Sequence, residues 1–136
     1  MQIHITGQQI SGDDMDRAMS VPVSELPTLT EKQEKAAARM DVSPEKWARF
    51  MLAGKYSEAR LKETAQRMAA TVERELRRLV PNAEAEFFQY EVGSEPHRLM
   101  LRYKAKTFWV DIPSTDDSDE ALVQVCRATA IMLEAD

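Results

Sequence analysis

The sequence predicts an α+β protein, and three observations carry that prediction. Between Thr30 and Val80 apolar residues recur every third or fourth position, the spacing of a single buried helix face. Between Ala83 and Ile112 the period drops to two, as in strands that turn one side to a core. Beyond Pro113 the helical period returns. The expected order is an N-terminal helical hairpin, a long amphipathic helix, a three-stranded antiparallel meander and a C-terminal helix. These form one domain over residues 30–136 (helices 30–80, meander 83–112, helix 118–134), preceded by an arm and Pro-containing linker over residues 1–29.

Met1 to Thr6 alternates Ile3 and Ile5 with polar neighbours, which suits either a short strand or a loose segment with no hairpin partner. A brief helical turn can follow between Gly12 and Ser20, and Pro22 and Pro27 then deny helix to their neighbours. Thr30 with Gln33 three residues on has the form of a capping box. That helix should run to about Met40. Ser43 as cap and Pro44 at the first helical position then restart a helix. Leu61, Ala65, Met68, Val72, Leu76 and Leu79 lay a stripe along the clearest helix, which Pro81 ends. Gly54 either breaks this helix from the one before or sits inside a single helix over 44–80. In the meander, Phe88, Tyr90 and Val92, then Leu99, Leu101 and Tyr103, then Phe108, Val110 and Ile112 can share one core, with turns at 93–97 and 105–106. The last helix places Leu122, Val125, Cys126, Thr129, Met132 and Leu133 on one side.

Composition removes several chemistries. The 136 residues hold 43% hydrophobic and 30% charged side chains and no run near the roughly 18 apolar residues of a membrane span, so no membrane partner is expected. The start has neither a basic end nor a long apolar stretch, so the expected compartment is a reducing cytoplasm. Four scattered glycines cannot build a dinucleotide fingerprint or a phosphate-cradling loop. One cysteine and two histidines fall one ligand short of a closed zinc site. No cofactor is expected. The acidic run Asp111, Asp116, Asp117, Asp119 and Glu120 lacks the glycine of a calcium loop, so Asp117 with Glu120, or Ser118 alone, should cap the last helix. His4 and His97 have no nucleophile beside them in sequence, and no catalytic constellation is visible. Cys126 reads as a buried small hydrophobe.

Net charge is −5, unevenly spread: residues 30–80 carry twelve basic against eight acidic side chains, while 114–136 carry one against six. A polyanionic partner is therefore not excluded by the overall sign. The run from Gln33 to Leu52, QEKAAARMDVSPEKWARFML, resembles a helix-turn-helix. Ala37 matches its small crossing position, Met40 and Val42 its anchors around the turn, and Trp47 and Phe50 the buried face of its second helix. Asp41 stands where that family has glycine. The resemblance implies that Ser43, Lys46 and Arg49 face DNA, with Glu45 beside them. Arg60, Arg67 and Arg74, seven apart and followed by Arg77 and Arg78, would form a cationic stripe, partly compensated by Glu63 beside Arg60 and Arg67 and by Glu73 four residues before Arg77.

The outward face of the meander should carry Phe87, Met100, Arg102, Lys104 and Trp109, aromatic and cationic groups together, unless the N-terminal helices cover it. MQIHITG at the start resembles the opening strand of the ribosome hibernation-promoting factors, and a meander followed by a helix is similar to their topology. The helices over 30–80 have no counterpart there, and the last helix has only Arg127 where that family is strongly basic. The leading expectation is a non-enzymatic, cytoplasmic protein-interaction module (an adaptor, a chaperone-like factor or an assembly component) that binds a protein partner or a second copy as a homodimer. The alternative is a DNA-binding regulator using residues 33–52.

Overall fold

A computed structural model describes residues 1–114, 116 and 118–135. The first strand, β1 (Gln2–Thr6), finds its partner far along the chain and lies parallel to β2 (Glu84–Glu91), with Gln2 opposite Phe87 and Thr6 opposite Glu91. β2 then pairs antiparallel with β3 (His97–Tyr103), and β3 with β4 (Lys106–Ile112). The expected three-stranded meander is therefore part of a four-stranded mixed sheet in the order β1-β2-β3-β4. This completes the α+β class and corrects its sheet. A parallel partner needs a long crossover, which no hairpin signal beside β1 could reveal.

Among the described residues the helices are α1 (Gly12–Met19), α2 (Glu31–Arg39), α3 (Pro44–Leu79) and α4 (Asp119–Ala135), with a 3-10 turn at Val23–Glu25. Residues 44–79 form one uninterrupted helix of 36 residues with Gly54 in its interior. Two compact units result: residues 8–60, and residues 1–7 with those from Leu61 onward.

The unit that holds the sheet has a conventional apolar core. Met68, Ala69, Val72 and Leu76 of α3 meet Phe88, Leu99, Leu101 and Ile112 of the sheet and Leu122, Cys126, Ala130 and Leu133 of α4. Tyr90, Tyr103, Phe108 and Val110 pack against this cluster half-buried, so the alternation in the sequence places the core face correctly. α3 lies toward β1, where Glu73 meets the Met1 amine at 4.0 Å. α4 approaches β4. Residue Glu86 is the extra residue of a bulge, since Ala85 pairs with Leu101 and Phe87 already with Met100.

The other unit, residues 8–60, buries mostly alanine: Ala18, Ala37, Ala48 and Ala53. Alanines bring helices close but remove little apolar area from water, and buried polar groups take up the difference. Asp14 accepts hydrogen bonds from Ser57 Oγ at 2.6 Å, Ser11 Oγ at 2.9 Å and Arg60 Nη2 at 2.8 Å. The caps read from sequence form as expected. Thr30 and Gln33 close a full capping box, and Ser43 Oγ accepts from the Lys46 N–H. Asp41 sits at φ 55° just past α2, with its N–H on the Ala38 carbonyl and the Val42 N–H on the Ala37 carbonyl. This is a Schellman stop in which Asp takes the place usual for glycine.

Candidate functional site

Strand register alone assembles a row across the outer face of the sheet. Gln2, Phe87, Met100 and Trp109 stand in successive strands at matched positions, so their side chains leave the same face. His4 lies over Phe87 with ring centroids 4.6 Å apart, and Phe87 meets Trp109 edge-on at 6.3 Å. Phe87 and Met100 are half-buried, while Trp109 keeps 48% of its surface exposed. From Phe87 to Trp109 the row is apolar and open.

Charges flank it in pairs. On one side Arg98 Nε lies 3.7 Å from Asp111, and the Arg98 guanidinium stacks 4.6 Å above the Trp109 ring. On the other, Arg102 Nε lies 3.4 Å from Glu86, which the bulge turns outward. Phe87, Met100, Arg102 and Trp109 are thus brought together as the alternation implied, joined by His4 and Arg98. His4 belongs to β1, whose partner lies far along the chain, so alternation within the meander does not reach it. Lys104 is not among them. It occupies the β3–β4 turn at φ 50°, followed by Ala105 at φ 62°, and its amine lies 5.2 Å from the Tyr103 ring. The two-residue turn interrupts the alternation after Tyr103, which takes Lys104 off the strand.

A cleft of roughly 790 Å³ opens at the end of this row, lined by Phe87 and Met100 together with Glu73, Arg77, Glu84 and Glu86. Among the described residues no group of three His, Cys, Asp or Glu side chains is arranged to hold a metal ion, and no helix is long and apolar enough to cross a membrane. At the start of α4, Ser118 Oγ accepts from the Ala121 N–H, and Asp116 accepts from the Ser118 N–H, which holds the Asp116 carboxyl below the usual range. Asp117, the other expected cap, lies outside the described residues. Cys126 is buried, and burial pushes its thiol up to about 11.

The groups of the DNA-binding reading are placed quite differently. Ser43 and Lys46 are exposed at the start of α3, with Ser43 serving as its cap. Arg49 is only 8% exposed. Its Nη1 donates to the carbonyls of Ala18, Met19 and Val21 at 3.0, 3.0 and 2.7 Å, while Nε and Nη2 grip Glu45. The guanidinium therefore caps the C-terminal end of α1, where orphan carbonyls and the negative helix pole attract a cation. Arg60 is held by Asp14, Arg67 by Asp119 at 3.2 Å and Arg74 by Glu75 at 3.8 Å. Of the proposed anchors, Ala37 is buried, Trp47, Phe50 and Val42 are half-buried, and Met40 is 67% exposed. No known protein family, curated protein or solved structure matches the chain.

Proposed function

We propose that the protein is a non-enzymatic, cytoplasmic protein-interaction module, serving as an adaptor, chaperone-like factor or assembly component, and that its binding surface is the outer face of the sheet. The observation that carries this reading is the apolar row of Phe87, Met100 and Trp109 with its arginines already paired to Asp111 and Glu86. A face that stacks nucleotides offers free cations to phosphates beside its rings. Here the cations are spent on carboxylates, which leaves a balanced rim around an apolar centre, the composition of a protein–protein contact. The DNA-binding alternative loses support at two of its contacts, since Arg49 is consumed by backbone carbonyls and Arg60 by Asp14.

A photoreactive phenylalanine analogue at Met100 tests the reading in cells. One dominant protein adduct is expected, absent when Phe87 is also replaced by glutamate and absent for the same analogue at Lys35 on α2. Equal labelling from Met100 and Lys35 would discard the surface. Duplex DNA titrated at low salt should show no binding; tight binding that collapses with added salt would instead favour the alternative.

A further inference from the structure

We propose that the free edge of β4, together with the flank of α4 beside it, is the docking surface for a second copy of this chain. The inference is separate from the outer-face reading and does not depend on it.

β4 is the last strand of the sheet order, and its centre, Phe108-Trp109-Val110, carries no charge, proline or bulge to guard it. An unguarded edge of this kind is a template for pairing. The opposite edge is guarded: β1 is shorter, and the part of α3 beside it presents the charged Glu73 and Arg77. α4 supplies the contrast. Asp119 pairs with Arg67 of α3, and Cys126 Sγ lies 3.8 Å from the Val72 carbonyl, so that side of α4 is turned to α3. At about 100° per residue, Ala121, Val125, Ala128 and Met132 fall together on the flank turned away from α3, the side of the β4 edge. Met132 is 44% exposed and neighbouring Ile131 is 71% exposed. An apolar helix flank thus runs beside a strand edge that pairs with no strand among the described residues.

The edge is also complementary to itself. The β3–β4 turn has two residues, both at positive φ, and Tyr103 pairs with Lys106 across it. In such a hairpin the residues flanking the turn form a hydrogen-bonded pair and the bonding alternates from there. Lys106, Phe108, Val110 and Ile112 therefore bond toward β3, and the N–H and C=O groups of Thr107, Trp109 and Asp111 point out. An antiparallel two-fold centred on Trp109 sets Trp109 opposite Trp109 and Thr107 opposite Asp111 of the second copy. About six backbone hydrogen bonds result, with hydroxyl facing carboxylate and no like charges opposed. Sliding the register by two residues brings either Pro113, which has no N–H, or the Lys104–Ala105 turn into the ladder. The same two-fold brings the two α4 flanks together and joins both apolar rows into one sheet.

Sedimentation and oxidative cross-linking test this on the full chain. The wild type should sediment at twice its 15.5 kDa mass. Trp109→Cys should form an intermolecular disulfide under mild oxidation, because hydrogen-bonded antiparallel partners stand about 5.5 Å apart between Cα atoms, inside the disulfide range. Thr107→Cys should not, since its partner is Asp111. The buried Cys126 offers no competing thiol. Ala128→Arg with Met132→Arg, both at exposed positions, should give a monomer with unchanged far-ultraviolet circular dichroism. Phe87→Glu, which disables the outer row away from the edge, should leave the dimer intact and so separates the two readings. A monomer at every concentration, a dimer that survives the arginine pair, or cross-linking through Thr107→Cys and not Trp109→Cys would overturn the proposal.

Discussion

Replacing Arg49 with methionine should loosen the 8–60 unit and leave the sheet untouched. The side chain spends the two protons of Nη1 on three carbonyls and grips Glu45 with the rest of its fork. Charge-assisted hydrogen bonds contribute roughly 1.5–3 kcal/mol each. Removing the donor strands carbonyls at the end of α1 while methionine recovers part of the packing, so the expected loss is about 3 kcal/mol. Arg49→Lys keeps a cation at the helix end but cannot hold the carbonyls and Glu45 together, and should lose about half as much. The two tryptophans make the assay local, because Trp47 lies in the 8–60 unit and Trp109 in the sheet. Urea unfolding followed by Trp47 fluorescence in a Trp109→Phe background should shift to lower denaturant for Arg49→Met, with the exposed Arg39→Met as control. Equal midpoints for the two variants would refute the capping role and restore Arg49 as a free surface cation.

Three further outcomes follow from the geometry. Ala105→Gly should stabilise the protein by about 0.5–1 kcal/mol, or ~2–4 °C in melting temperature, because alanine at φ 62° carries the left-handed penalty that glycine escapes; calorimetry reads it. Asp14 is held below the usual carboxylate pKa, chiefly by the Ser57 hydroxyl and then by Ser11 and Arg60. A depressed carboxyl stabilises the fold above its unfolded value near 3.9 and loses that contribution as pH falls through the folded value, so acid unfolding should be less steep in Asp14→Asn. Cys126 should resist iodoacetamide at neutral pH in the native state and react once urea unfolds the chain, since a thiol raised to about 11 holds almost no thiolate there.

Short-range physics was legible in the sequence, and long-range physics was not. The Thr30–Gln33 box, the Ser43 cap, the Pro81 stop and the core face of the meander depend on residues a few positions apart, and all form as expected. The partner of β1 lies beyond three helices, so only its alternation was visible. Arg49 was misleading for a related reason. An arginine on a helix signals solvent by type, and the carbonyls that bury it belong to α1, some thirty residues upstream. The outer row was half legible: alternation found Phe87, Met100, Arg102 and Trp109, but the turn shifted Lys104 off the strand and the unpaired β1 hid His4.

The parallel pairing of β1 sets an order on synthesis and folding. Its five residues are made before β2 and cannot be paired until β2 has emerged, after the whole 8–60 unit and the rest of α3. Closing so long a loop costs entropy before any ladder bond repays it, and contacts of that separation slow folding. The 8–60 unit is made whole while β1 still waits, so β1 stays unpaired until residues from Glu84 onward emerge. A chain interrupted before β2 would carry an isoleucine-bearing strand with both edges bare, the kind of segment that aggregates or engages chaperones.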